Sequence, residues 1–216
     1  MARKKLIYQS VFPYHVVSRC NNKDWFHIPL REVWGDCVYL LNKASKKYGA
    51  RILEFVLMNN HYHLLIQTPE SNLDLFMNYF QREISLRVGR KSGRRNHLFG
   101  GSYKACLLSN GVYFAHAYKY VLRNPVDAGL AATVEEYEFS TFYREGRNSM
   151  VRVSNSLGMP LGKFIPAELS ERLEWLNTAY DSEQRELLSR QLRRVNFTFP
   201  KHHRHKATVE SLARSQ

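Results

Sequence analysis

The chain reads as an α+β protein, an antiparallel β-sheet with helices packed on it, followed by a helical and basic C-terminal extension. Short runs rich in β-branched and aromatic residues mark strands, and runs with apolar residues at three- and four-residue steps mark helices. The two patterns follow one another in the order β-α-β-β-α-β-α, which segregates into a sheet layer and helix layers.

Each element has its own reason. Residues 11–17 form a β-branched and aromatic run that gives way to the polar Ser18-Arg19-Cys20-Asn21-Asn22, a strand followed by a loop. Over 31–48, Trp34, Cys37, Val38, Leu41 and Ala44 share one helical stripe, and Gly49 follows as a stop. Residues 51–58 and 61–68 are strand-like runs joined by Asn59-Asn60, a pair that tolerates the positive φ of a tight hairpin. Ser71-Asn72 offers N-caps to a second helix with Leu73, Phe76, Met77, Phe80 and Ile84 on one face. After a basic loop over 90–95, residues 103–108 read as the last strand. Asn110-Gly111 then opens a third helix that Pro125 is expected to stop near Asn124. Two further helices are expected, over 161–177 with Pro166 near its start and over 181–194 with Asp181-Ser182 as cap, before the basic tail 201–206.

A chain of 216 residues, 44 % hydrophobic and 24 % charged, suits one domain with an appendage; the expected division is 1–147 and 148–216. Lys+Arg of 32 against Asp+Glu of 19 gives a net charge of +13, so a polyanionic partner is one reading and a merely basic surface the other. Cys20, Cys37 and Cys106 are widely spaced with no Cys-x-x-Cys pair, which argues against a disulfide framework and a thiolate zinc site. No run approaches the ~18 consecutive apolar residues of a membrane span, and no cleavable leader follows the basic start, so a cytoplasmic location with no membrane partner is expected.

Chemistry concentrates in two places. In a strand, His61 and His63 point to one face and Tyr62 to the other, and two imidazoles on one face can chelate a divalent metal. In the third helix Tyr120 and Asn124 stack four residues apart, with His116 one turn earlier. An amide oxygen from Asn124 could complete a metal site beside the Tyr120 hydroxyl; on spacing alone, an interface aromatic and a helix-ending asparagine explain the same residues. His15, on the first strand, is read as a packed or hydrogen-bonded histidine rather than a ligand. Arg82, Arg87, Arg90, Lys91, Arg94, Arg95 and Lys104 gather near one helix end and its loop, as phosphate contacts or as a solvated charged face.

The chain resembles the REP-associated tyrosine transposases, relatives of the single-tyrosine insertion-sequence transposases in the HUH (His-hydrophobic-His) superfamily of endonucleases. The resemblance rests on Tyr14-His15-Val16-Val17-Ser18-Arg19-Cys20-Asn21-Asn22, on Met58-Asn59-Asn60-His61-Tyr62-His63-Leu64-Leu65, on residues 99–104 and on the run from Tyr120 through Asn124-Pro125 to Leu130, and covers roughly residues 8–143. Cys20 stands where that family usually has glycine, and residues 99–104 lack an arginine before Tyr103.

The resemblance implies a ferredoxin-like or RRM-like β-α-β-β-α-β core, Tyr120 as nucleophile, and His61, His63 and Asn124 as ligands of Mg²⁺ or Mn²⁺. It further implies transposition and recombination chemistry on single-stranded or hairpin DNA of the REP-palindrome type, through a 5′-phosphotyrosine, by a monomer rather than a dimer. Phenols are mostly protonated at neutral pH, so a proton must leave during attack, with His116 or a metal-bound water as the expected acceptor. Two rival readings remain: a domesticated relative that binds structured nucleic acid without cutting, and a metal-dependent hydrolytic nuclease in which Tyr120 only positions DNA.

Overall fold

The computed structural model describes residues 6–143 and 163–199. Its regular elements are β1 (Tyr14–Arg19), α1 (Leu30–Tyr48), β2 (Arg51–Leu57), β3 (His61–Gln67), α2 (Leu73–Ser92), β4 (Lys104–Leu107), α3 (Gly111–Asp127), α4 (Leu169–Asn177) and α5 (Ser182–Gln191). The strands form one sheet in the order β2-β3-β1-β4 with every neighbouring pair antiparallel. This is the ferredoxin-like arrangement, in which the first strand sits inside the sheet between the third and fourth.

Side-chain alternation sends each strand's residues to two faces. Tyr14, Val16, Ile52, Phe55, Leu57, Tyr62, Leu64 and Ile66 pack under α1 and α2, with Phe80 edge-on to both Phe55 and Tyr62. The opposite face carries Leu53, Val56, Leu65 and Cys106 against Phe114, Ala117, Val121 and Leu122 of α3, and the C-terminal segment adds Leu176, Leu188 and Leu192. The three cysteines are free and buried.

Irregular chain lies along both outer strands. Beside β2, Leu57 N–H donates to the Phe139 carbonyl and Thr141 N–H to the Phe55 carbonyl. Beside β4, Leu107 N–H donates to Val195 and Phe197 N–H donates to Leu107.

Several boundaries differ from the sequence reading. β1 starts at Tyr14 rather than 11 because Pro13 has no N–H to offer, and it runs on through Ser18 and Arg19, which pair with Tyr62 and His61. α2 continues through Arg90, Lys91 and Ser92 to Gly93 in the left-handed region (φ 67°), so half of the expected basic loop is helical. Asn72 occupies the N-cap position of α2, yet its amide donates to the Tyr48 carbonyl instead of capping. Pro125 does not stop α3, which continues to Asp127; a proline in the last turn removes a single ladder bond, and Leu130 N–H is taken up by the Pro125 carbonyl. α4 begins at Leu169, later than expected, with the Pro166 carbonyl accepting from Arg172. α5 ends at Gln191 and starts with a full capping box between Asp181 and Gln184. The expected division at 147 and the basic tail 201–206 lie outside the described residues.

Candidate active site

The β2–β3 hairpin and α3 build the site. Because β3 pairs with β1 in the register Arg19↔His61, Val17↔His63 and His15↔Leu65, the side chains of His15, His61, His63 and Arg19 emerge on the face that α3 covers, while Tyr62 is buried on the other. The His61 and His63 ring centroids are 5.1 Å apart. The Tyr120 ring stands edge-on to His63 at 6.1 Å and to His15 at 6.5 Å. Hairpin and helix thus bring Tyr120 and both histidines together on one side of the sheet.

Hydrogen bonds fix which imidazole nitrogens remain available. Asn60 Nδ2 donates to the Lys23 carbonyl, which aims Asn60 Oδ1 at His61 Nδ1, 2.8 Å away. His61 therefore carries its proton on Nδ1 and presents the Nε2 lone pair. His63 Nδ1 lies 2.8 Å from His15 Nε2. With the proton on His63 Nδ1, its Nε2 is also a free acceptor, and that atom is buried without a partner. Burial, then the neighbouring His15, His61 and Arg19, hold His63 well below the usual imidazole range, and burial with Arg19 brings His61 to about 4. Both rings are neutral at physiological pH, the form in which imidazole ligates metals.

Among the described residues no group of three or more His, Cys, Asp or Glu forms a metal cluster. Asn124 Nδ2 donates to the Tyr120 carbonyl one turn back at 2.7 Å, leaving Oδ1 as the amide's acceptor. A buried His63 with an orphaned nitrogen beside a half-buried His61, both neutral and on one face, fits a divalent ion that keeps open positions.

His116 turns its Nδ1 toward the C-terminal segment. Its Nδ1 lies 2.9 Å from the Tyr180 hydroxyl, its ring packs against Phe199, and burial with Lys119 nearby brings it to about 4. It belongs to the contact between α3 and the C-terminal segment.

The seven basic residues divide. Arg87 and Lys91 turn to Asp36 at 3.1 and 2.8 Å, and Arg94, whose side chain is only 6 % exposed, pairs with Asp24. Their charges are engaged within the fold. Arg82, Arg90 and Arg95 line a groove of about 1060 Å³ along α2 and the loop 94–101, together with Arg94. Lys104 lines an adjoining groove of about 840 Å³ with Arg19, Lys23 and Arg193. Asn21, Gly100 and Gly101 belong to both.

The sequence does not single out Asn60, Arg19 or Arg193 as site residues; His15, read as a packed or hydrogen-bonded histidine, is buried and hydrogen-bonded, and its partner is His63. The signal for His15 and Arg19 was present in the alternation along the first strand, but using it needed the β1–β3 register. Arg193 is distant in sequence and had no signal.

The sheet topology, with a paired-histidine strand under a tyrosine-bearing helix, defines an α+β fold of the ferredoxin-like kind, and the sequence comparisons specify the family. The family model for IS200-like transposases matches residues 8–124, and the chain belongs to that family. It is therefore a transposase. Among solved structures, a REP-associated tyrosine transposase bound to a REP hairpin superposes with a TM-score of 0.56 at 18 % identity, covering 69 % of this chain and 88 % of that one. A transposase structure from Deinococcus radiodurans covers 56 % of this chain and 95 % of its own at 16 % identity, with a TM-score of 0.39 that is too low to indicate a shared fold. No curated protein matches. Among the described residues no helix is long and apolar enough to cross a membrane.

Proposed function

We propose that this transposase cleaves and rejoins single-stranded DNA at the foot of a hairpin through a covalent 5′-phosphotyrosine on Tyr120. The observation that carries the reading is the meeting of Tyr120 with His61 and His63 on one face, with His63 Nε2 buried and unpartnered. His61 Nε2, His63 Nε2 and Asn124 Oδ1 would hold Mg²⁺ or Mn²⁺. Bound there, such an ion supplies Lewis-acid polarisation of a phosphate oxygen.

The chain's own residues do the rest. The Tyr120 phenolic oxygen forms a bond to phosphorus as the P–O3′ bond breaks, and the phenolic proton is balanced by the hydrogen that ends on O3′. The products are a 5′-phosphotyrosine and a free 3′-OH. A second 3′-OH can reverse the exchange, because one phosphodiester replaces another at little net cost. Asn124, bonded to the Tyr120 carbonyl, fixes the last turns of the helix that carries the nucleophile. His15 holds the His63 ring.

The basic grooves suit strands leading to and from that point. Arg19, Lys23, Lys104 and Arg193 gather at the Arg19 end of β1, which pairs with His61, and Arg82, Arg90 and Arg95 continue the positive surface. The hairpin named with the structurally similar transposase supports a palindromic REP-like DNA as the partner. One chain contains every proposed catalytic group, which supports a monomeric enzyme.

The test is a denaturing gel with a labelled REP-like hairpin, Mn²⁺ and the full chain. A protein–DNA adduct that disappears in Tyr120→Phe and falls at least 100-fold in His63→Ala is the expected result. Cleavage that survives Tyr120→Phe would establish a hydrolytic nuclease instead, and tight binding with no cleavage a non-cutting binder.

A further inference from the structure

The family match ends at residue 124, yet the C-terminal segment is fastened to α3 along the whole length of that helix. Near the helix start, Tyr113 packs on Phe197 with ring centroids 4.9 Å apart, and His116 meets the Tyr180 hydroxyl. Midway, the Lys119 ammonium lies between the Trp175 and Tyr180 rings, 5.1 and 4.8 Å from their centroids. At the end, Arg123 Nη1 donates to the last carbonyls of α4, Leu176 at 3.0 Å and Asn177 at 2.7 Å, and its Nη2 bonds Asp127, which also pairs with Arg185 of α5.

These are costly residues to bury. Lys119 and Arg123 keep only 5 % and 4 % of their surface, and two cations withdrawn from water on one helix face need compensating partners. The aromatic pair supplies negative ring faces to the ammonium, and the C-terminal carbonyls of α4 supply the negative end of a helix to the guanidinium. Both matches are directional, so they define how α3 is turned about its axis, which apolar packing against the sheet specifies less sharply.

Tyr120 follows Lys119 directly and precedes Arg123 by less than one turn. Each residue along a helix rotates its side chain by about 100°. With Lys119 and Arg123 locked into α4, the phenol of Tyr120 is directed to His63 and His15.

We propose that the segment from α4 to Phe199 is a brace acting within the same chain, and that Lys119, Arg123 and Trp175 are positioning residues that set the rotation of the nucleophile helix. The proposal rests on the reading of Tyr120 as nucleophile, and the experiment separates the two. Trp175 lies on α4, lines neither of the two grooves described, and is half-buried at the edge of the α3-side core, so its replacement spares the catalytic groups.

Trp175→Leu, Trp175→Phe and Arg123→Met are prepared in the full chain. Each is measured for amide exchange in α3, for hairpin dissociation constant and for single-turnover adduct formation. In Trp175→Leu and Arg123→Met, α3 amides should exchange at least tenfold faster while β1 and β3 are unchanged. Adduct formation should slow tenfold or more with the dissociation constant within twofold. Trp175→Phe, which keeps an aromatic wall for Lys119, should return to within about threefold of the wild-type rate.

Unchanged α3 exchange and unchanged rate in folded Trp175→Leu and Arg123→Met would overturn the brace, as would a rate loss matched by an equal loss of hairpin affinity. If Arg123→Met fails to fold, Arg123→Lys, which keeps the charge but loses the paired donors, is read by the same criteria. A wild-type chain that forms no adduct would defeat the Tyr120 reading alone, since α3 exchange still decides the brace.

Discussion

The most informative single residue is His15. Its Nε2 is 2.8 Å from His63 Nδ1, and burial brings His15 itself to about 4, so it is a neutral acceptor able to hold the proton of His63 on Nδ1. Partners of this kind fix the tautomer and orientation of a ligating imidazole, and their loss typically lowers metal affinity about 10- to 100-fold. His15→Phe preserves the ring shape and removes the nitrogen. Calorimetric titration with Mn²⁺ should show a loss in that range with the melting temperature little changed; equal affinity would reduce His15 to packing. Asn60 performs the same service for His61 from the turn that made the hairpin legible, so one residue sets both the reversal of the chain and a ring orientation. Arg94 shows the converse: in sequence it is one more cation in a basic run, but its side chain is buried against Asp24.

Among the elements, α3 is where the local signal is strongest. The Asn110 side chain accepts from Tyr113 N–H at 2.9 Å, as its position before a helical pattern predicts. Asn110→Ala should cost about 1 kcal/mol of unfolding free energy in urea titrations; no change would mean that the packed helix does not need its cap. The strands, the β2–β3 turn and the apolar stripes of α1 and α2 could be read from sequence because each depends on residues within a few positions. Tyr120 and the His61/His63 pair were legible as motifs, since alternation and helical stacking fix their faces locally. What could not be read depends on distant partners. Ser18 and Arg19 look like loop residues until β3 pairs with them, and Asn72 looks like a cap until Tyr48 takes its amide. The pairings of Arg87 and Lys91 with Asp36 join α2 to α1. His116 shares a stripe with Tyr120 in sequence, but Tyr180, far along the chain, determines its role.

At the scale of the whole molecule, a buried acid couples folding to pH. Glu54 follows the irregularity in β2, is 3 % exposed and accepts a hydrogen bond from Thr141; burial raises its carboxyl to about 8. Below the ordinary value of 4.5 the carboxyl is protonated in both folded and unfolded chains, so its contribution to stability is fully present. Between 4.5 and about 8 the unfolded chain ionises while the folded one holds its proton, and stability is lost as pH rises, by at most about 1.4 kcal/mol per pH unit. Glu54→Gln removes this dependence. The melting temperature of the variant relative to wild type should therefore climb from pH 5 to pH 8, and a constant difference would show that Glu54 ionises normally in the fold.

The chain lying along the two outer strands has a consequence for assembly. Open β-edges invite strand addition from another molecule, the usual route to intertwined oligomers and to fibrils. Here Phe139–Thr141 hydrogen-bonds beside β2 and Val195–Phe197 beside β4, so each margin is already occupied at its centre by the protein's own backbone. Self-association through a continuous intermolecular sheet is thereby discouraged. Two copies would have to meet through helices or loops instead.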